Sequence, residues 1–113
     1  MIDAVAEAEV VLMPTTVVGE LEAGFRVGRR YVENRRSLED FLREPYVDVI
    51  DVTVDVSRRY GEVFAALRSA GTPIPVNDIW IAAATFDSGA HLITFDEDFA
   101  RVEGLTHTLF EGA

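Results

Sequence analysis

The chain has 113 residues, no cysteine, and a net charge of −10 in which all ten basic residues are arginine. That composition excludes disulfide frameworks, thiolate metal sites and cysteine nucleophiles, and the missing lysine argues against a P-loop, a Schiff-base enzyme and a receiver-type signalling module. A single domain, residues 1–113, is expected at this length, and so acidic a chain is a poor non-specific ligand for nucleic acid, whose phosphates are held chiefly by cationic side chains.

Ile2, Val5 and Ala6 have helical spacing, so a short helix is expected to open the chain. Val10 to Met13 reads as a buried strand, closed by Pro14, with Thr15 and Thr16 available to cap the next helix. Val17, Val18, Leu21 and Phe25 form the apolar stripe of that helix, and Glu20 lies in its first turns beside the stripe. Glu20 is not a capping-box acid: with Thr16 as the cap, the box position falls on Gly19. Residues 26–36 carry five of the ten arginines, and Leu38, Phe41 and Leu42 then mark a second helix ending near Pro45. A solvated helical hairpin explains this basic patch better than a contact for phosphate or a partner does.

Val47 to Val52 alternates apolar and acidic residues as a half-buried strand would. Val56, Tyr60, Val63, Phe64 and Leu67 predict an amphipathic helix that stops at Gly71. Pro73 and Pro75 force an extended approach, Asn77 reads as an N-cap, and Ile79, Ala82, Ala83 and Phe86 carry a helix to Ser88-Gly89. Asp78 therefore sits in the first helical turn. His91 to Phe95 is a short β-rich run, Asp96 is the first residue beyond it, and Thr106 to Phe110 is a candidate edge strand. No apolar run approaches the roughly 20 residues that span a bilayer, and the N-terminus lacks the regions of a signal peptide, so a cytoplasmic protein that touches no membrane is expected.

The alternation of strands with helices predicts an open, mostly parallel α/β sheet, in which ligands bind beyond the C-terminal ends of the strands. Glu20, Asp78 and Asp96 should then project from one edge. Each acid alone has an ordinary explanation: a flank charge, a helix-dipole residue and a turn former. Their joint placement is the signal. Carboxylates brought together repel one another unless a divalent cation neutralises them, and hard oxygen ligands suit Mg²⁺ or Mn²⁺. Such an ion activates water and steadies the charge on a phosphate under in-line attack, with no lysine, cysteine or histidine needed.

The runs PTTVVGELEAGF, PIPVNDIWIAAATFDSGAHLITFDEDF and the later VEGL resemble PIN-domain ribonucleases of the VapC type, toxins of bacterial toxin–antitoxin pairs. The resemblance implies an α/β/α PIN fold, a Mg²⁺- or Mn²⁺-dependent endoribonuclease, a cognate antitoxin, an RNA substrate and a homodimer. Glu20 is similar to the family's glutamate, Asp78 to its helix-opening aspartate, Asp96 to the aspartate after the following strand, and Asp98 to an accessory acid. Family members begin with a central strand that ends in an aspartate, whereas this chain begins inside what looks like the next helix. Asp3 is no substitute, because it follows no strand. The resemblance therefore implies an N-terminally truncated member lacking the first acid and the middle strand. A catalytically impaired protein that binds an antitoxin or dimerises without cutting RNA is the alternative.

Overall fold

Proline or glycine stands at or near an end of each described α-helix, and the backbone follows them. The computed structural model describes residues 10–110 and divides after Asp51 into two compact units. The expected opening helix around Ile2, Val5 and Ala6 lies outside the described residues, as does Asp3.

In the first unit, strand β1 (Val11–Pro14) leads into helix α1 (Thr15–Val27), helix α2 (Tyr31–Leu42) and strand β2 (Val47–Ile50). The two strands are parallel, with Val11 opposite Val47 and Met13 opposite Val49. Helix α1 starts earlier than a Thr16 cap would allow. Pro14 occupies the N-cap position at φ −62° and ψ 140°, so both threonines fall inside the first turn, and the Thr16 hydroxyl is buried without a hydrogen-bond partner. Proline's fixed φ delivers the chain extended to the first helical residue and so sets the boundary itself.

The arginine-rich segment is a helical hairpin. Arg26 reaches Glu22 at 3.8 Å, Arg35 stands between Glu22 at 3.9 Å and Glu39 at 3.3 Å, and Arg30 pairs with Glu33. Tyr31 donates its hydroxyl to Glu22 Oε1 at 2.7 Å and receives Arg26 Nη2 at 2.9 Å. No residue of α1 or α2 is buried, and Val47 is the one buried apolar side chain among the described residues of this unit.

The second unit is organised by helix α3 (Val54–Ala70) packed on helix α4 (Val76–Ser88). Thr53 caps α3 by accepting the Val56 amide at 3.2 Å, a contact contributing about 1 kcal/mol. Gly71 (φ 70°) and Gly89 (φ 65°) end the two helices in the left-handed region that glycine adopts without strain. Val56, Val63 and Leu67 of α3 and Ile79, Ala82 and Ala83 of α4 are buried, and both alanines are completely sealed. Tyr60 and Trp80 close one side with ring centroids 4.2 Å apart. Phe64 departs from the predicted stripe: it is 43% exposed, because Val56, Val63 and Leu67 centre the buried face one residue away from it.

Strand β3 (Leu92–Thr94), a 3-10 turn (Glu97–Arg101) and strand β4 (His107–Leu109) complete this unit, with β3 parallel to β4 and Leu92 opposite His107. Every described pairing is parallel, as the alternation of strands and helices predicts. Hydrogen bonding joins the strands two by two, one pair in each unit. No helix among the described residues is long and apolar enough to cross a membrane.

Candidate functional site

The acidic site of the second unit begins with two prolines. Pro75 holds the N-cap position of α4 at φ −56° and ψ 147°, two residues before the predicted Asn77, and its carbonyl accepts the Asp78 amide at 3.0 Å. Asp78 still falls in the first turn, where the helix dipole favours a carboxylate. It is one of two buried polar residues among those described, at 8% exposure.

The other two acids are placed by short-range hydrogen bonds. As the chain leaves β3, the Thr94 hydroxyl accepts the Asp96 amide at 3.0 Å, and Asp96 Oδ1 accepts the Asp98 amide at 2.9 Å. These bonds wrap the backbone into the 3-10 turn, which buried Phe99 anchors. Carboxylate oxygens of Asp78, Asp96 and Asp98 then lie within 4.8 Å of one another. Asp98 Oδ1 also stands 3.2 Å from Arg101 Nη1, and the same nitrogen donates to the Pro73 carbonyl at 3.4 Å.

Three carboxylates meet at this corner, with the Arg101 guanidinium beside Asp98, and the donors they offer are all hard oxygens. That donor set suits an oxygen-seeking divalent cation such as Mg²⁺ or Mn²⁺ and suits zinc or copper poorly, since the group contains neither imidazole nor thiolate. The two histidines are engaged elsewhere: His91 Nε2 lies 2.6 Å from the Thr108 hydroxyl, and His107 Nδ1 lies 3.2 Å from the Leu105 carbonyl.

Asp78, Asp96 and Asp98 are thus brought together. Glu20 belongs to the first unit, where it is exposed on α1, and a Cβ at Gly24, one turn on, would meet nothing within 4 Å. Two contributors escaped the sequence reading. Thr94 is signalled weakly by a hydroxyl two residues before an aspartate. Arg101 is signalled by its i, i+3 spacing from Asp98 in a helical turn.

The PIN domain family matches residues 2–105 of the chain. Ribonuclease VapC2 of Rickettsia felis is 26% identical over 105 residues, covering 92% of this chain and 77% of the relative. Plasmid stability protein StbB of Pseudomonas syringae pv. tomato is 32% identical over 101 residues, 86% of this chain and 73% of the relative. In three dimensions the chain is similar to the VapBC2 structure from Rickettsia felis bound to a DNA fragment from its promoter, with a TM-score of 0.83, 25% identity, and coverage of 96% of this chain and 81% of that one. A backbone likeness of that extent and a family match across almost every residue show that the chain belongs to the PIN domain family, among relatives of the VapC type.

Proposed function

We propose that this chain is a divalent-metal-dependent endoribonuclease, the toxin of a toxin–antitoxin pair, built as one PIN-like domain over residues 1–113. The observation that carries the proposal is the convergence of Asp78, Asp96 and Asp98 within 4.8 Å. The relatives named as ribonucleases support the reaction class, and the VapBC2 likeness supports a partner protein.

Asp78 and Asp96 are assigned as the principal metal ligands, with Asp98 accessory to them. Glu20 is assigned, through its match to the family glutamate alone, to orient the attacking water, either as a direct metal ligand or from behind one. Mg²⁺ or Mn²⁺, when bound, would supply Lewis-acid stabilisation of the phosphate and lower the pKa of water. The protein's own part is to bind and orient. The first turn of α4 fixes Asp78, and the Asp98 amide fixes Asp96 through Oδ1, leaving Asp96 Oδ2 for a ligand. With no lysine or cysteine in the chain and both histidines hydrogen-bonded elsewhere, a carboxylate is the group left to accept the proton of the attacking water.

A cytoplasmic location is part of this reading, since RNA and antitoxin would be met there. A chain of net charge −10 repels RNA at a distance and favours a cationic antitoxin segment, and a second copy of the chain is the expected oligomeric partner. The test pairs calorimetry with a gel assay on single-stranded RNA in Mn²⁺, with EDTA as the control. Asp78→Asn should weaken Mn²⁺ binding at least tenfold, or about 1.4 kcal/mol, and abolish EDTA-sensitive cleavage. Equal metal binding by both proteins would sink the assignment. Metal binding without cleavage by the parent chain would favour the reading of a protein that binds its antitoxin but does not cut.

A further inference from the structure

Asp98 already has a cation. Arg101 Nη1 bridges Asp98 Oδ1 at 3.2 Å and the Pro73 carbonyl at 3.4 Å, so one guanidinium ties the last acid of the cluster to the proline segment that leads into Asp78. The Arg101 side chain is 49% exposed and that of Asp98 26% exposed. Arg101 also lines a cavity of about 290 Å³ in the second unit, together with Leu67, Phe86, Arg59, Glu62 and Glu103, and Arg59 is already paired with Glu62 at 3.6 Å.

A divalent cation among the three carboxylates would place two further positive charges close to this guanidinium, and like charges at short range repel. Asp98 cannot serve both cations at full strength. A partly exposed i, i+3 ion pair is a weak attachment that a divalent cation can displace. Glu103 offers the displaced guanidinium another acceptor in the cavity it already lines, whereas Glu62 is taken by Arg59.

Resting on the metal-dependent reading above, we infer that Arg101 is a positioning residue that serves as the resident counter-cation of the acidic cluster. It holds Asp98 while the metal is absent, yields Asp98 when the metal binds, and turns toward Glu103. A purely structural role for Arg101, keeping Asp98 in place for the metal, predicts the opposite effect of removing its charge.

Calorimetric titration of the full chain with Mn²⁺ separates the two. R101Q keeps a donor for the Pro73 carbonyl but loses the charge, and should bind Mn²⁺ about fivefold tighter or more, while R101K should stay within about twofold of the parent. R101Q binding with equal or lower affinity overturns the inference, as does R101K matching a tighter R101Q, since charge would then not be the cause. If all three proteins bind equally, only the role of Arg101 fails. If none binds Mn²⁺, the metal-dependent reading fails and takes this one with it.

Discussion

Asp96 does two things with one carboxylate: its Oδ1 accepts the Asp98 amide and shapes the turn, and its charge adds to the cluster. Substitution separates them. Asp96→Asn keeps an oxygen acceptor and loses the charge, whereas Asp96→Ala loses both. Thermal denaturation without metal should leave the Asn variant near the parent and destabilise the Ala variant by about 1 kcal/mol, while Mn²⁺ affinity falls in both. An Ala variant as stable as the parent would show that the turn forms without this bond. Tyr31 gives a pH-dependent counterpart in the first unit. The hydrogen bond to Glu22 and then desolvation raise its pKa above the ordinary 10.0, against the lowering influence of Arg26 and Arg35. A raised pKa means the folded chain holds the proton more tightly, so this contribution to stability is whole below about pH 10 and is lost as pH rises through the folded value. Tyr31→Phe should remove that alkaline component from a series of denaturation midpoints, and an unchanged pH profile would count against it. Asp78 and Asp96 were legible in the sequence because each sits at an element boundary, and Asp98 was reached only through the family resemblance. Arg101 was not legible, since an arginine in a short turn reads as surface charge and its second contact, the Pro73 carbonyl, is 28 residues away.

At the level of elements, the helix of greatest consequence is α4, and its packing depends on small side chains. Ala82 and Ala83 are completely buried, and α3 lies against α4. Ala83→Leu adds volume where none is open and should cost about 1–3 kcal/mol, read as a lower denaturation midpoint. A neutral effect would mean that the helices separate easily. The stops at Gly71 and Gly89 were legible because glycine tolerates the left-handed backbone that ends a helix. The starts were less so. Asn77 and Thr16 are good capping residues, yet α4 and α1 begin one residue after Pro75 and Pro14, because a proline already holds the φ and ψ that the position requires. Strand ends also moved inward, from Phe95 to Thr94 and from Val52 to Ile50, since a strand ends where its partner's hydrogen bonds end and hydropathy does not mark that point.

Across the whole molecule the core is unevenly distributed. Among the described residues, twelve of the thirteen buried apolar side chains lie in the second unit and only Val47 in the first, whose hairpin leaves Val27 at 87% and Val32 at 67% exposure. Hydrogen exchange should therefore be slowest in α4 and faster in α1 and α2, because few buried contacts oppose local opening there. Equal protection in the three helices would contradict this. By itself the sequence determined the helix and strand types of the described elements, the parallel class of the fold, and the positions of Asp78 and Asp96 as carboxylates at element boundaries. Periodicity, prolines, glycines and residue charge are local properties, and these features depend on nothing else. Only the tertiary structure decided that Asp78 is buried while Asp96 and Asp98 keep contact with solvent, that their oxygens come within 4.8 Å, and that Arg101 attends them. Those outcomes depend on where a turn after β3 lands relative to the start of α4, a distance fixed by packing between segments far apart in the chain, which no local pattern encodes.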